Sequence, residues 1–285
     1  VKGLVKFIKK ERKNFDKSHF ERLYENIHSS LKTSFNEQFR MHSSINNVIR
    51  QFYINDNGLK CGLDYERSNS QNISDPSSRY HGINIPGVLD EKHHVLWINT
   101  KTAESIDDAS RSRYNLGEIE VIQKLLTLFS ENEDFKKYNK EIGNKEAQEI
   151  GIITFYGAQL KRMKGLNESY SELDLRISSV DRFQGMERNI VIVSTVRSDK
   201  LATYDNQPIS ETIKQNGLGF AESPNRLNVA LSRAKRLLII VGNADHFSNE
   251  NHGVKSEIYR NVVNEISDST NHHGHFLDSS KLFSQ

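Results

Sequence analysis

Two arginines in the last third of the sequence, Arg226 and Arg233, stand where their side chains could bind phosphate groups. Around them, apolar residues recur at the spacing of one buried helix face, namely Leu227, Ala230, Leu231 and Ala234. On such a helix the two arginines project from one side, and residues 237–241 follow as a buried aliphatic strand. This arrangement is typical of an α/β cleft that binds anions. The alternative is that both arginines are solvated surface residues.

The elements that must position these arginines form an alternating pattern of strands and helices. Apolar runs predict strands at residues 32–35, 95–99, 150–155, 177–180, 190–193 and 237–241. An amphipathic helix is predicted over 115–129, where Asn115 and Glu118 have the spacing of a capping box, and Ser43 is the predicted N-cap of another helix. Such alternation predicts an α/β fold with a mainly parallel sheet flanked by helices.

Three polar segments have no clear hydrophobic period. Residues 56–91 and 199–216 are therefore expected to be loops, the second of them a mobile lid or a loop that contacts a bound strand. A helix is expected over 255–266, and the polar residues after it are expected to form a flexible tail.

The bulk composition limits the classes of function. The chain has 285 residues and a net charge of +2, so any nucleic-acid binding must use a local groove rather than a global basic field. Its single cysteine, Cys61, excludes an internal disulfide and an all-cysteine zinc site. No apolar run approaches the ~20 residues needed to span a membrane, and no signal peptide is visible. We therefore expect no membrane partner and an intracellular location, cytoplasmic or nuclear.

Four blocks of sequence, in this order along the chain, resemble the motifs of one family. They are EQFRMH at 37–42, GIITFYGAQ at 151–159, SVDRFQGMERNIVIVSTV at 179–196 and NRLNVALSRAK at 225–235. The blocks resemble superfamily 1 helicases of the nonsense-mediated-decay helicase and senataxin type, and the resemblance extends from about residue 20 to residue 247. It implies a second RecA-like motor domain, which is a P-loop NTPase domain without its own P-loop.

The resemblance implies roles for three residues beside ATP. Phe39 would flank the adenine, in a position where the family usually has tyrosine. Arg40 would reach a terminal phosphate, because a guanidinium can donate two parallel charged hydrogen bonds to phosphate oxygens. Arg233 would be the catalytic arginine finger. The alternative for Arg40 is a loop arginine paired with Glu37.

The block at 179–196 implies three further nucleotide-side residues. Gly185 and Glu187 would contact the sugar and phosphate side of the nucleotide, and Gln184 would couple ATP to the nucleic acid. From the residues alone, Gln184 and Glu187 are expected between two buried strands, at the edge of the sheet where ligands bind. Glu187 could instead pair with Arg188 or Arg226.

The resemblance also implies contacts with a bound single strand. By analogy, Thr154, Tyr156 and Gln159 would lie near the strand, and Ser179 and the loop after Thr195 would touch its backbone. The family's proline between threonine and tyrosine is absent here, so this loop can be oriented differently. Core and capping roles are the alternative for Thr154, Tyr156 and Gln159.

Two expected motor components are absent from the sequence. There is no G-x-x-x-x-G-K-[ST] motif to hold phosphates, and the acidic run at 90–93 precedes a strand rather than following one, so it is not a magnesium box. The adjacent His93 and His94 lack the spacing of metal ligands, and His272, His273 and His275 fall in the expected tail, so no metal site is predicted.

The resulting hypothesis is half of a two-domain motor. Residues 1–30 would lead in from a missing N-terminal RecA-like domain, residues 31–250 would form RecA-like domain 2, and residues 251–285 a terminal helix and tail. ATP with Mg²⁺ would be the cofactor, with the metal ligands in the first domain, and single-stranded DNA or RNA the partner. The chain alone would be inactive. The alternatives are a non-catalytic docking module and a translocase that does not unwind.

Overall fold

The computed structural model describes residues 18–54, 58–72, 75–136, 149–204, 207–214, 217–250, 254–268, 270 and 274–284. Its strands, in chain order, are β1 (Glu37–Gln38), β2 (Lys60–Cys61), β3 (Val95–Asn99), β4 (Glu104–Ile106), β5 (Arg113–Tyr114), β6 (Glu149–Thr154), β7 (Asp174–Ser179), β8 (Arg188–Ser194), β9 (Lys200–Tyr204), β10 (Gln207–Lys214), β11 (Ala234–Gly242) and β12 (His275–Asp278). Its helices, in chain order, are α1 (His19–Asn26), α2 (Ser43–Ile49), α3 (Tyr65–Ser68), α4 (Leu116–Glu131), α5 (Gly157–Met163), α6 (Leu166–Ser169), α7 (Pro224–Leu231), α8 (Ala244–Phe247), α9 (Val254–Ser267) and α10 (Ser279–Phe283).

The described residues divide into two units, Val1–Asn36 and Glu37–Gln285. In the first unit, α1 is followed by a short 3-10 helix, Ser29–Leu31, and no strand forms at the predicted 32–35. Residues 1–17 of the expected lead-in lie outside the described residues. In the second unit, the first strand is instead β1, which pairs in parallel with β2.

The main sheet of the second unit has six strands in the order β12-β3-β11-β8-β6-β7, and every neighbouring pair is parallel. Its central strands carry continuous aliphatic runs, such as residues 190–193 and 237–241, because helices cover both faces. On one face the strands pack against α2, α7 and α9, and on the other against α4, α5 and α6. The predicted mainly parallel sheet flanked by helices is confirmed.

A second sheet, β10-β9-β4-β5, lies beyond the carboxyl ends of β3 and β8 in the sequence. Its β9 and β10 form an antiparallel pair, so the prediction of a loop over 199–216 is wrong. These strands are polar, and β9 is held by a parallel partner, β4, that lies about 100 residues earlier in the chain. A long-range partner of this kind leaves no local signal in the sequence.

The predicted flexible tail is also wrong where the structure describes it. His275 begins β12, which pairs in parallel with β3 at one edge of the main sheet, and α10 follows. The helix α9 before it buries Tyr259, Val262 and Ile266 against the core. Predicted tail residues His272 and His273 lie outside the described residues.

Two helix ends differ from the prediction. The N-cap of α2 is His42, whose ring Nδ1 accepts the N–H of Ser44 at 3.1 Å, rather than Ser43. Helix α7 ends at Leu231, so Arg233 is not on the same helix as Arg226, and their predicted common side is wrong. Ala234 is buried as predicted, but as the first residue of β11.

Candidate functional site

The residues predicted to surround the nucleotide lie at the end of the main sheet where β8 and β11 begin. Glu187 directly precedes β8, and Arg233 directly precedes β11. The backbone carbonyl of Arg233 accepts the N–H of Arg188 at 3.0 Å. The chain leaving β7 must return to this amino edge before β8 can run parallel. On the way back the chain passes β6, where the ring of Phe183 packs against Gly151. A Cβ placed on Gly151 would be only 2.6 Å from that ring. The predicted location at the carboxyl edge is therefore wrong for Glu187.

Arg40, Glu187, Arg233 and Lys235 form a group that we call the charged cluster. Nε of Arg40 lies 2.7 Å from Oε2 of Glu187, and Nζ of Lys235 lies 2.8 Å from its Oε1. Nη1 of Arg40 also donates to the carbonyl of Ser232 at 3.2 Å. Arg233 interacts electrostatically with both Arg40 and Glu187. The structure thus brings three of the predicted nucleotide residues onto one surface.

Arg233 is held by the loop that joins α7 to β11. Its Nε donates to the carbonyl of Val229 at 3.0 Å, Nη1 donates to the carbonyl of Met186 at 3.4 Å, and Nη2 donates to Ser232 Oγ at 3.1 Å. Burial, and then the charge of Arg40, lower the pKa of Arg233 from its ordinary value. The guanidinium of Arg233 is therefore held in a fixed orientation close to the positive charge of Arg40. A bound anion would reduce the repulsion between the two.

The charged cluster has more positive than negative charge. Partial burial alone would raise the pKa of Glu187, but Lys235 and Arg40 outweigh it and hold that pKa below its ordinary value. Glu187 is thus ionised at neutral pH, and three cations less one anion leave a net charge of +2. Guanidinium and ammonium groups around one exposed surface can bind a polyanion such as a chain of phosphates.

Phe39 lies in the turn before Arg40, and its side chain is 59% exposed. Its ring rests on Gly62, where any Cβ would overlap the ring. Arg79 fixes the turn, because its Nε donates to the carbonyl of Arg40 at 2.7 Å and its Nη2 to the carbonyl of Phe39 at 3.0 Å. Sequence reasoning missed Gly62 and Arg79, since both lie in the polar segment 56–91, which carries no periodic pattern.

Gln184 and Gly185 lie in the chain that crosses back to β8. Gly185 has φ +83°, a left-handed conformation that a side chain would strain, so glycine is required by the turn rather than by a close neighbour. Gln184 is exposed, and its side chain makes no hydrogen bond to any residue that the structure describes. The structure therefore does not bring Gln184 into the charged cluster.

The residues predicted to contact nucleic acid meet at the opposite, carboxyl edge of the sheet. Thr154 ends β6 and is in register with Ser179 of β7 and with Ser194 of β8, and Thr195 follows. Ser179 is partly exposed, but Thr154 and Thr195 are fully buried. The structure therefore gathers these residues at one edge and places only Ser179 near the surface.

Tyr156 and Gln159 are buried beneath this edge. Tyr156 is 3% exposed, and its hydroxyl donates to the carbonyl of Leu218 at 3.4 Å and accepts the N–H of Phe220 at 3.1 Å. Burial raises its pKa. Gln159 is fully buried and donates to Ser194 Oγ at 3.0 Å. Both side chains are thus buried and hydrogen-bond to the segments around them.

Glu118 is a buried carboxylate at this edge that the sequence analysis assigned only to a cap. Asn115 does cap α4, because its Oδ1 accepts the N–H of Glu118 at 3.3 Å. The Glu118 carboxylate, however, accepts Ser194 Oγ at 2.6 Å and Val196 N–H at 2.8 Å, and lies 3.4 Å from Thr195 Oγ1. Burial raises the pKa of Glu118 to about 8. The capping-box prediction is thus correct for Asn115 only.

Glu104 is a second buried carboxylate beside it. It accepts Arg197 Nε at 2.7 Å and the N–H of Ser198 at 3.2 Å on one oxygen, and pairs with Arg113 through the other. Burial raises its pKa, against the opposing charges of Arg197 and Arg113. We call Glu118 and Glu104, with these partners, the buried carboxylate network.

A sequence signal for Glu118 existed. With Ile122 and Leu125 it occupies the i, i+4 and i+7 positions of the apolar stripe of α4. A carboxylate on a buried stripe must have partners, because leaving it unpaired in the core is costly. No comparable signal marks Glu104, which lies on a three-residue strand.

Within the described ranges, no three histidine, cysteine, aspartate or glutamate side chains are arranged to hold a metal ion. The helices that the structure describes include none with the length and apolar character needed to cross a bilayer. The mainly parallel six-stranded sheet flanked by helices is the architecture of a RecA-like α/β domain.

Comparison with known proteins identifies the family. Residues 15–245 match the family described as an AAA domain, and the chain belongs to that family. It is 30% identical over 236 residues to the regulator of nonsense transcripts 1 homolog of Neurospora crassa, an alignment that covers 80% of this chain and 18% of that protein. The match to nonsense-transcript regulators and MOV-10 proteins places it among superfamily 1 helicases of the nonsense-mediated-decay type, in the C-terminal-like helicase region.

Two further relatives align over shorter stretches. The putative helicase MOV-10 of Gallus gallus is 34% identical over 151 residues, covering 50% of this chain and 14% of that protein. The DNA polymerase alpha-associated DNA helicase A of Saccharomyces cerevisiae is 32% identical over 162 residues, covering 55% of this chain and 20% of that protein. The alignments thus span only about a seventh to a fifth of these relatives.

Proposed function

We propose that this chain is the second motor domain of an ATP-dependent helicase that moves along single-stranded nucleic acid. Arg233, as arginine finger, and Arg40 are delivered to the terminal phosphates of ATP held by a first RecA-like domain. Phe39, Gly185 and Glu187 complete the nucleotide side. The observation that carries the proposal is the charged cluster, a preformed cationic surface beside an exposed aromatic ring.

The donor set of the charged cluster suits a triphosphate. Arg233 is oriented by backbone carbonyls, and Arg40 and Lys235 share one carboxylate. A triphosphate oxygen can replace that carboxylate as the partner of Arg40 with little loss, because the ion pair is exposed. Preorganised cations of this kind stabilise the charge that develops during phosphoryl transfer.

The rest of the ATP site is assigned to the first domain. Phosphoryl transfer also needs a phosphate cradle, a metal ion and a positioned water. The sequence contains no G-x-x-x-x-G-K-[ST] motif, so the cradle and the Mg²⁺ ligands are placed across the cleft in the N-terminal RecA-like domain. Binding and release of ATP would then close and open the cleft between the two domains.

Single-stranded DNA or RNA is the proposed substrate, bound at the carboxyl edge of the main sheet near Ser179. Parallel sheets bind ligands at this edge, and it lies opposite the charged cluster. Relatives are named both as a DNA helicase and as RNA helicases, so both kinds of strand are included in the proposal. Movement of the two domains would step them along the strand.

The test replaces Arg233 by alanine in the full-length protein that contains this chain. ATP turnover should fall by about 10³–10⁵-fold, because an arginine finger contributes on that scale. The Kd for a single-stranded oligonucleotide, measured by fluorescence anisotropy, should stay near the wild-type value. Arg233→Lys keeps the charge without the planar fork and should recover only part of the turnover.

Arg50→Ala is the matched control. Its side chain is 50% exposed and pairs with Glu265 at 3.9 Å, a residue outside the charged cluster. Turnover by this variant should equal that of the wild type. Wild-type turnover by Arg233→Ala would remove the arginine-finger role, and would leave the charged cluster without its proposed function.

A further inference from the structure

Phe220 is the exposed aromatic residue at the carboxyl edge of the main sheet, and no role has been assigned to it above. Its side chain is 58% exposed, although it lies in a short 3-10 helix, Gly219–Glu222, whose neighbour Ala221 is fully buried. A large apolar side chain held in water on a fixed segment is unfavourable for folding alone. Single exposed apolar side chains are common on protein surfaces, so a function for this ring must follow from how it is held and from what lies beside it.

The ring is supported from below by Tyr156. The N–H of Phe220 donates to the Tyr156 hydroxyl at 3.1 Å, and the two rings lie 5.5 Å apart at an angle of 54°. Gly219 has φ +56°, and a Cβ there would overlap the Tyr156 hydroxyl and the Arg197 guanidinium. Tyr156 comes two residues after β6 ends. The exposed ring is therefore fixed to the carboxyl end of that strand.

A cation lies beside the ring. The guanidinium carbon of Arg226 is 5.7 Å from the centroid of Phe220. Arg226 is oriented by Asp181, with Nε 3.2 Å from Oδ1 and Nη2 3.3 Å from Oδ2. Asp181 follows Ser179, the last residue of β7, by two positions. Arg226 and Asp181 are thus paired, and Arg226 lies between the ring and the chain that follows β7.

The size of this feature favours a nucleobase over a protein. Its apolar neighbours Tyr156 and Ala221 are buried, so among the side chains that the structure describes here the exposed apolar surface is one phenyl ring. A stable protein interface needs a far larger contiguous area, whereas one base presents a flat face of about this size. An aromatic ring flanked by an arginine is the combination that stacks bases in sequence-tolerant single-strand sites.

We propose that Phe220 is a stacking platform for one base of the single strand, positioned by Tyr156, Gly219 and Arg226. The proposal rests on the proposed function and adds to it a contact with a base at Phe220, a residue to which the family resemblance gave no role. Stacking is insensitive to base identity, so the platform would grip the strand without reading its sequence.

The test measures the Kd of the full-length protein that contains this chain for a fluorescein-labelled single strand of mixed sequence. Stacking on an aromatic ring contributes about 1–3 kcal/mol per base, so Phe220→Ala should raise the Kd roughly 5- to 150-fold. Phe220→Leu, which is apolar but not planar, should bind as weakly as Phe220→Ala. Phe220→Trp keeps a planar ring and should bind as the wild type does.

Phe283→Ala is the matched control, because Phe283 is 53% exposed at the end of α10 and should not affect the Kd. A strand made of abasic sites gives a second control. The wild type and Phe220→Ala should bind it equally, since it offers no base to stack. A 5-iodouracil strand irradiated on the wild type should crosslink within the peptide that contains Phe220.

The outcomes separate the two proposals. If the wild type binds the single strand and Phe220→Ala binds it equally well, the stacking platform is wrong and the proposed function survives. Equal loss of affinity for the abasic strand in Phe220→Ala would also overturn stacking, because that loss is independent of bases. If the wild type binds neither DNA nor RNA single strands, the proposed function itself fails.

Discussion

The two ends of the main sheet use the same kinds of charged side chain in opposite ways. At the amino end, Arg40 and Glu187 of the charged cluster are 38% and 40% exposed in their side chains. At the carboxyl end, Glu104 is fully buried and its partner Arg197 is 5% exposed. Exposed ion pairs contribute little to stability, whereas breaking a buried pair is costly. The amino end can therefore exchange partners with a ligand, and the carboxyl end is fixed.

What the carboxyl end fixes is a strained turn. Val196 has φ +69°, a left-handed conformation that a β-branched residue rarely adopts and that costs on the order of 1–3 kcal/mol. Glu118 accepts its N–H, and Asn115 Nδ2 donates to its carbonyl at 3.3 Å. The next residue, Arg197, pairs with Glu104. The buried carboxylate network thus holds the loop that follows β8 in one conformation.

The largest expected effect compares Glu104→Ala with Glu187→Ala. Glu104→Ala should lower the free energy of unfolding by about 3–5 kcal/mol, because it leaves the Arg197 guanidinium buried without its partner. Glu187→Ala should lower it by less than about 1 kcal/mol, because the cluster is exposed. Urea denaturation followed by circular dichroism measures both values.

The comparison has a built-in check. The double variant Glu104→Ala with Arg197→Met removes the uncompensated charge and should recover part of the lost stability, as replacing a buried pair by apolar groups often does. Equal losses for the two single variants would mean that burial does not distinguish the two ends, and the contrast between them would be wrong.

The second prediction concerns how the stability of the carboxyl end depends on pH. Burial raises the pKa of Glu118 to about 8 in the folded chain, above its value of 4.5 when unfolded. The folded state therefore binds the proton more tightly, and its stability falls as pH rises through this window, by about 1.4 kcal/mol per unit at most. Glu118→Gln carries the neutral form permanently. From pH 5.5 to 7.5 the wild type should lose up to about 3 kcal/mol relative to Glu118→Gln.

The hydrogen bonds around Glu118 are compatible with a neutral acid. A proton on Oε1 can be donated to Thr195 Oγ1, 3.4 Å away, while Thr195 donates its own proton to the carbonyl of Val241 at 3.3 Å. Thermal unfolding of both proteins across this pH range provides the measurement. A difference between them that does not vary with pH would show that Glu118 is ionised throughout.

The main sheet could be predicted from the sequence because its signal is local. A strand buried on both faces must be aliphatic, so the runs in β3, β6, β8 and β11 identified it. The boundary between α7 and β11, in contrast, has no local signal in the sequence. Ala234 is buried in either element, so the helical spacing continued past the true end at Leu231. Strand pairing, through the contact of Arg233 with Arg188, decides the boundary.

The candidate sites show the same limit. The sequence identified Arg40, Glu187 and Arg233, and the structure brings them together. Their position at the amino edge could not be predicted from the sequence, because it depends on how the chain crosses β6 between β7 and β8. By family resemblance the sequence also placed Tyr156 near the bound strand, with a core role as the alternative, and Tyr156 is buried. Its burial beneath Phe220 follows from a contact 64 positions apart, which no spacing rule reports.

The smallest expected effect lies at the amino end and has the opposite sign in pH. His94 directly precedes β3, its Nδ1 is 2.7 Å from the carbonyl of Arg236, and its ring stacks on His42 at 3.4 Å. Burial, and then the charges of Arg236 and His93, lower the pKa of His94 from 6.5 to about 4. The unfolded chain takes up the proton first, so stability is complete above pH 6.5 and is lost as pH falls towards 4.

His94→Asn tests this prediction, because its Nδ2 can still donate to the carbonyl of Arg236 but cannot be protonated near neutral pH. From pH 6.5 to 5 the wild type should lose up to about 2 kcal/mol relative to the variant. The buried His81, whose pKa is lowered further, keeps some acid sensitivity in both proteins. Acid sensitivity unchanged by His94→Asn would place the titrating group elsewhere. If both titrations hold, acid destabilises the amino end through His94 while rising pH destabilises the carboxyl end through Glu118, so the two ends of one sheet depend on pH in opposite directions.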